Sequence, residues 1–357
     1  MVQDIRVELT KNKRVKPDMK TVKFGKSFSD HMFLMNYEEG KGWFDPRIVP
    51  YGPVEMDMAC MVFHYGQEIF EGMKAYRTSE GKVQLFRPTE NIRRMAISGE
   101  RLVMPAVDED MFLAALKKLL EVDAEWVPSE EATSLYIRPF MIATDVGLGV
   151  HASKSYLFSI ITCPVGSYYP EGLNPIKIMI ESQDVRAVRG GTGIAKCGGN
   201  YAASLRASLL AEYKGYSQVL WLDGVERKYI EEVGSMNIMF KVNGEVLTPS
   251  LTGSVLAGIT RKSCIELMKT WGIDVTERLI TVDEIVEAAE NGTLEEVWGT
   301  GTAAVVSPVG WLTYKDKTFE IGGGKIGTLT QKLYDGLTGI QWGKVPDTLG
   351  WTVPVEK

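Results

Sequence analysis

Residues 190–201 read Gly-Gly-Thr-Gly-Ile-Ala-Lys-Cys-Gly-Gly-Asn-Tyr, five glycines around one lysine. Glycine takes backbone dihedrals that other residues avoid and weakens both helix and ladder, so such a run enforces a loop. Upstream, the short apolar run 176–180 reads as a strand, and downstream 201–213 reads as a helix. The chain is therefore committed to a layer in which strands and helices alternate.

The same alternation runs from end to end. Residues 83–86 read as a strand, and Pro88 opens a helix near 91–102. A helix over 110–122 carries Phe112, Ala115, Leu116, Leu119 and Leu120 at helical spacing. Strands are expected at 134–141, 156–165, 218–222, 236–240 and 296–298, and a last helix at 328–337. Gly and Pro punctuate 166–172 between two apolar segments, which marks a linker. A chain of 357 residues exceeds one compact core. The expected fold class is α/β (α+β) with mixed sheets and flanking helices. A smaller N-terminal domain spans 1–165, a linker 166–176 and a larger C-terminal domain 177–357.

Composition narrows the partners. The formal net charge of -6 attracts neither nucleic acid nor an anionic membrane surface. The N-terminus lacks a signal-peptide pattern, and the longest apolar run, 156–165, is too short to span a bilayer. Cys60, Cys163, Cys197 and Cys264 form no Cys-x-x-Cys pair, so a cytoplasmic protein is expected. His31, His64 and His151 share no i, i+4 spacing, which argues against a metal site and a Ser-His-Asp arrangement.

Lys196 lies among small and apolar neighbours. With little water to stabilise its ammonium its pKa should fall, and a neutral amine can attack an aldehyde and hold it as a Schiff base. From this segment alone a solvated surface lysine fits equally well. A nucleotide phosphate loop does not fit, because it needs Gly before the lysine and Ser or Thr after it; here Ala195 and Cys197 stand there.

A pyridoxal-type cofactor also needs a carboxylate beside its ring nitrogen and an anion site for its phosphate. Glu232, just before the apolar run 236–240, is the candidate acid, while Glu231 reads as a solvated turn residue. Gly258-Ile259-Thr260-Arg261-Lys262 opens a helix whose free N–H groups suit a phosphate, although the same residues also serve as plain helix caps. Arg94 is available to supply a guanidinium, and of two adjacent helical arginines only one can face inward. Gly299-Thr300-Gly301-Thr302-Ala303-Ala304 is a further small-residue turn with N–H groups for an anion.

Lys196, Glu232, Gly258-Ile259-Thr260 and Thr302-Ala303, in this order, resemble the branched-chain amino acid aminotransferases, pyridoxal-phosphate enzymes of fold type IV with a D-amino acid aminotransferase-like fold. The segments Phe24-Gly25-Lys26, Asp30-His31-Met32, Phe70-Glu71-Gly72-Met73-Lys74-Ala75, Leu85-Phe86-Arg87-Pro88, Tyr136-Ile137-Arg138-Pro139 and Glu232-Val233-Gly234-Ser235-Met236-Asn237 extend the resemblance over nearly the whole chain. D-amino acid aminotransferases and aminodeoxychorismate lyases share the lysine and the acid, but the Phe70 and Tyr136 segments favour the branched-chain group. Outside the fold, an inert cofactor carrier and a nucleotide-binding module are the rivals.

The resemblance implies a two-domain enzyme that carries pyridoxal 5'-phosphate on Lys196 in its C-terminal domain. Glu232 then pairs with the ring nitrogen and Tyr201 with the ring phenolate. Arg94, Ser235, Ile259, Thr260 and Thr302 complete the cofactor set. Thr302 and Ala303 present N–H groups to the substrate carboxylate, and Phe24, Tyr65, Phe70, Tyr136, Tyr168, Met236 and Ala303 wall an apolar pocket. Arg138, with the hydroxyls of Tyr65 and Tyr168, is expected to receive the second carboxylate of glutamate. The implied reaction is transamination of L-leucine, L-isoleucine and L-valine with 2-oxoglutarate, as the last step of synthesis or the first of breakdown. The resemblance also implies a homodimer, with Phe24, Tyr65 and Val150 near the subunit junction. Where animal members carry a Cys-x-x-Cys switch this chain has Ala304 and Ser307, so no thiol control is expected there.

Overall fold

The structure is a computed structural model that describes residues 2–166 and 173–355. Tyr168 and most of the expected linker lie outside the described residues. The chain forms two compact units. One contains Met1–Tyr168, Ala195–Gly198 and Ile340–Lys357, and the other contains Tyr169–Ile194 and Gly199–Gly339.

The first unit is built on a nine-stranded sheet. Its strands run Arg6–Val7, Gly42–Pro50, His31–Glu38, Ser155–Val165, Ser134–Ala143, Met73–Arg77, Val83–Phe86 and Thr352–Val355, and Glu68–Phe70 pairs with Ser134–Ala143. Alternation along Ser134–Ala143 sends Leu135, Ile137 and Met141 into the main core, whereas Tyr136 joins Cys163 and Val165 in a separate cluster. The helix Glu109–Val122 starts where the Asp108 side chain accepts the Met111 N–H at 3.0 Å. Its buried residues Met111, Phe112, Ala115, Leu116, Leu119 and Leu120 form one face. Phe112 meets Phe158 edge-on at 4.8 Å between ring centroids, and Phe158 also meets Phe33 and Trp43. The helix Pro88–Arg101 buries Asn91, Ile92, Arg94 and Met95 and leaves Arg93 outside.

The second unit holds another nine-stranded sheet, in the order Ile230–Val233, Gln218–Leu222, Ile176–Ile180, Val305–Tyr314, Leu294–Gly301, Met236–Val242, Glu245–Pro249 and Val275–Arg278. Ile230–Val233 also pairs with Met236–Val242, so six strands close into a ring. Ile176–Ile180 runs parallel to both of its neighbours while most other pairs are antiparallel, which makes the sheet mixed as the sequence implied. Register sets Glu232 opposite Asn237 and Asn237 opposite Thr300, a row of three polar side chains across three strands. No helix among the described residues is long and apolar enough to cross a bilayer.

The expected strands and helices are present with small changes of length. The helix expected at 201–213 begins earlier, at Gly198, and the last helix runs Thr328–Gln341. Strands His31–Glu38 and Gly42–Pro50 carried no sequence expectation. Asp45 at φ 52, Pro46 and a register shift between Leu34 and Asn36 interrupt their alternation. The tail also departs from the expected 177–357 domain. Thr352–Val355 pairs with Val83–Phe86, which ties the C-terminus to the first unit. Because Phe158 anchors three aromatic contacts at zero exposure, Phe158→Ala should cost about 3–5 kcal/mol, read as a lowered urea midpoint with unchanged slope.

Candidate active site

The lysine lies within the first unit. Ala195–Gly198 is fastened there by three backbone hydrogen bonds. Lys196 N–H donates to Ser98 Oγ at 2.9 Å, Phe70 N–H donates to the Lys196 carbonyl at 2.9 Å, and Gly198 N–H donates to Glu68. Ala195 and Cys197 are buried in the main core, so the alternate residue Lys196 turns its side chain the other way. Lys196 Nζ stands 4.7 Å from the centroid of the Phe70 ring. Burial and the nearby Arg94 guanidinium push its pKa down to about 8, against the opposing pull of Glu71 and Tyr136. At neutral pH such an amine is unprotonated about 300 times more often than one at the ordinary 10.5.

Arg94 is the inward arginine of its pair, as the sequence required, while Arg93 faces out to Glu109. Its guanidinium grips Glu71 in a two-point contact, Nε at 2.7 Å and Nη2 at 2.8 Å. Glu71 has no exposure and also accepts from Asn91 Nδ2 at 2.8 Å and Gly72 N–H at 3.1 Å. Burial alone would raise the Glu71 carboxyl, but Arg94 outweighs it and holds the group below the usual carboxylate range. In the sequence Glu71 stands out only as a motif letter. Its position inside the apolar run Ile69-Phe70-Glu71-Gly72-Met73 was the available signal of a buried, paired acid.

On the same face, Arg138 Nη2 donates to Tyr136 Oη at 3.0 Å, and its guanidinium lies 4.6 Å from the Phe70 ring centroid. Phe24 packs edge-on against Tyr136 at 4.9 Å. A Cβ on Gly72 would overlap the Tyr136 phenol, so glycine there is what admits this ring. Buried Arg138 Nε has no hydrogen-bond partner among the described residues. Tyr65 stands apart from this group. It ends the helix Met61–Tyr65, is 41% exposed, and donates its hydroxyl to the Leu148 carbonyl.

The second unit holds the candidate acid and anion residues. Glu232, on Ile230–Val233, is 3% exposed. Its Oε1 accepts the Leu256 N–H at 2.6 Å, and Oε2 lies 3.1 Å from Arg186 Nε. Asn237 Nδ2 donates to the Leu256 carbonyl at 2.9 Å, and a Cβ on Gly258 would overlap Asn237. Gly258 then caps the helix Ile259–Thr270 without any side-chain hydrogen bond, and Ile259 and Thr260 are buried in its first turn. Tyr201 lies in the first turn of Gly198–Tyr213. Ser235 is exposed in the tight turn before Met236–Val242. Thr302 and Ala303 occupy the turn between Leu294–Gly301 and Val305–Tyr314, a turn shorter than the sequence suggested. Met236 lies against Gly299 and Gly301, where any Cβ would crowd it.

Glu231 corrects an expectation. Far from being a solvated turn residue, it is 3% exposed and takes a hydrogen bond from Ser254 Oγ. It sits inside the strand Ile230–Val233, whose four residues are all buried. Burial raises its carboxyl above the usual range. A raised folded-state pKa means that the protonated form favours the fold. That stability is fully present below the unfolded value, about 4.3, and is lost as pH rises through the raised value. Glu231→Gln should therefore flatten the pH dependence of the denaturation midpoint over that window, and a variant with the wild-type slope would refute the assignment.

Residues 68–310, about two thirds of the chain, match the amino-transferase class IV family. Branched-chain-amino-acid aminotransferase 2 of Bacillus subtilis (strain 168) is 58% identical over 353 residues, covering 99% of this chain and 97% of the relative. The solved branched-chain amino acid aminotransferase of Escherichia coli superposes with a TM-score of 0.75 at 28% identity, over 90% of this chain and 99% of that one. The T.th. branched-chain amino acid aminotransferase with pyridoxamine 5'-phosphate gives a TM-score of 0.75 at 27% identity, over 90% and 98%. The chain belongs to the class IV aminotransferases, in their branched-chain-amino-acid aminotransferase branch.

Proposed function

We propose that this chain uses pyridoxal 5'-phosphate to move an amino group between L-leucine, L-isoleucine or L-valine and 2-oxoglutarate, yielding branched-chain 2-oxo acids and L-glutamate. The observation that carries the proposal is a lysine with its pKa brought down to about 8 beside a fixed guanidinium. The residues fit the cofactor by their chemistry: a nucleophilic amine at Lys196, a buried acid at Glu232, and a helix start at Ile259 and Thr260 left without a side-chain cap. A relative bound to pyridoxamine 5'-phosphate supports the same choice.

Bound there, pyridoxal phosphate supplies an electron sink for the charge that develops when the substrate Cα loses its proton. Lys196 Nζ holds the cofactor covalently and afterwards accepts and returns the Cα proton. Glu232 keeps the ring nitrogen protonated, and Tyr201 hydrogen-bonds the ring oxygen. Arg94, oriented by Glu71, and Ile259, Thr260 and Thr302, partly through their N–H groups, bind the phosphate, and Ser235 completes the cofactor set. Thr302 and Ala303 orient the substrate α-carboxylate.

In this reading Phe24, Phe70, Tyr136, Tyr168, Met236 and Ala303 wall the apolar pocket, and Tyr65, which stands apart within one chain, joins them through the proposed homodimer. A methylene more or less in such surroundings changes binding by only ~1–3 kcal/mol, so the three aliphatic substrates are accepted together. Glutamate brings a second carboxylate, whose burial requires a partner. Arg138 has an unpartnered buried Nε for it. A cytoplasmic homodimer completes the proposal. The four cysteines are free and buried, and Met58, Phe63, Tyr65, Val146, Leu148 and Val150 are exposed around the helix Met61–Tyr65 and the 146–150 loop.

Borohydride reduction of purified protein should attach the cofactor to Lys196, and Lys196→Ala should lose both the label and transamination. Adding leucine, valine or glutamate should convert the cofactor spectrum to the amine form, whereas D-alanine should not. Schiff-base formation by the apoenzyme with a simple aldehyde should rise with a midpoint near pH 8. Arg138→Ala should raise KM for glutamate far more than for leucine; equal rises would remove Arg138 from the second-carboxylate role.

A further inference from the structure

Glu231 and Glu232 are consecutive, equally buried carboxylates with different surroundings. Glu231 receives one hydroxyl, from Ser254, and its Oε2 has no hydrogen-bond partner among the described residues. Glu232 accepts the Leu256 N–H at 2.6 Å on one oxygen, and its other oxygen is ion-paired, without a hydrogen bond, to Arg186 Nε at 3.1 Å. An isolated carboxylate taken out of water protonates rather than remain charged, and an adjacent fixed cation reverses that preference. Arg186 faces Glu232 in a direct ion pair, whereas at Glu231 its charge acts only from further away and burial prevails.

Arg186 is itself buried, at 8% exposure, and its other contacts are chosen carbonyls. Nη2 donates to the Gly193 carbonyl at 3.3 Å and to the Ser254 carbonyl. Gly193 lies three residues before Lys196, and Ser254 lies four residues before Gly258, the cap of the helix Ile259–Thr270. The two carbonyl segments are pressed together, since a Cβ on Gly193 would overlap the Ser254 backbone. One planar guanidinium therefore joins the loop leading to the lysine, the loop leading to the anion site and the acid. A lysine, with a single point charge, cannot reach the two carbonyls and face Glu232 in that planar geometry.

We propose that Arg186 is a positioning residue that keeps Glu232 ionised and aimed, so that the cofactor ring nitrogen holds its proton, and that it locks the loops before Lys196 and Gly258 to that acid. The inference rests on the cofactor reading above and adds a residue that this reading left without a role. Arg186 acts through Glu232 and the two loops and has no assigned contact with the substrate.

The test loads wild type, Arg186→Met and Arg186→Lys with pyridoxal phosphate labelled with nitrogen-15 in the ring. It reads the ring-nitrogen chemical shift at neutral pH and the cofactor Kd. Wild type should show a protonated ring. Arg186→Met should weaken cofactor binding about tenfold or more and move the ring signal to the unprotonated position. Arg186→Lys should keep the proton and weaken binding less than Met does. Wild-type shift and affinity in Arg186→Met overturn the proposal. Weakened binding with a fully protonated ring also overturns it, because a purely structural arginine predicts that. If Arg186→Met does not fold, Arg186→Lys decides, and an affinity within about twofold of wild type overturns the proposal. A wild type that takes up no cofactor sinks the functional reading itself, an outcome distinct from failure of the Arg186 variants alone.

Discussion

The grip of Glu71 on Arg94 is the contact on which the lysine's chemistry depends. A carboxylate with no exposure survives only because a guanidinium meets both of its oxygens, with Asn91 and the Gly72 N–H filling its remaining acceptor sites. In return Glu71 stops Arg94 from sampling other rotamers and leaves a fixed positive charge in the field of Lys196. Glu71 holds the cation in place while its own charge pulls the lysine back up, so the pair tempers the lowering that burial and Arg94 produce. Burial lowers the lysine first and the oriented Arg94 adds to it, while the ion pair itself adds little net stability, since buried ion pairs gain little over apolar replacements.

The same physics recurs in the second unit with a different outcome at each carboxylate. All four residues of Ile230–Val233 are buried, so both faces of the strand are covered and neither Glu231 nor Glu232 reaches water. One acid is given a guanidinium and an N–H, the other a hydroxyl. The closed ring of strands decides which residues meet, because Glu232, Asn237 and Thr300 come from three strands and share a row only through register. Asn237 then carries that order outward to Leu256 and the start of the helix Ile259–Thr270.

Much of the fold was legible from local pattern. The runs 83–86, 176–180 and 218–222 match their strands, and the helical spacing of Phe112, Ala115, Leu116 and Leu119 matches the buried face of Glu109–Val122. What escaped was non-local or irregular. The strand Gly42–Pro50 is disguised by Asp45 and Pro46, and the pairing of Thr352–Val355 with Val83–Phe86 joins segments more than 250 residues apart. No window of sequence contains such a pair.

Glycine placement and side-chain type made Lys196, Glu232, Arg94 and the 258–260 helix start candidates, because each chemistry demands its residue and a local backbone shape. Charge state was not readable in the same way. Whether a carboxyl is solvated, as Glu231 was expected to be, or enclosed and partnered depends on atoms brought from distant parts of the chain, such as Ser254 and Arg186. Sequence determined which groups were available, and tertiary structure decided which were deprived of water and which received a counter-charge, because electrostatic energy depends on distance and dielectric, and neither is a local property of the chain.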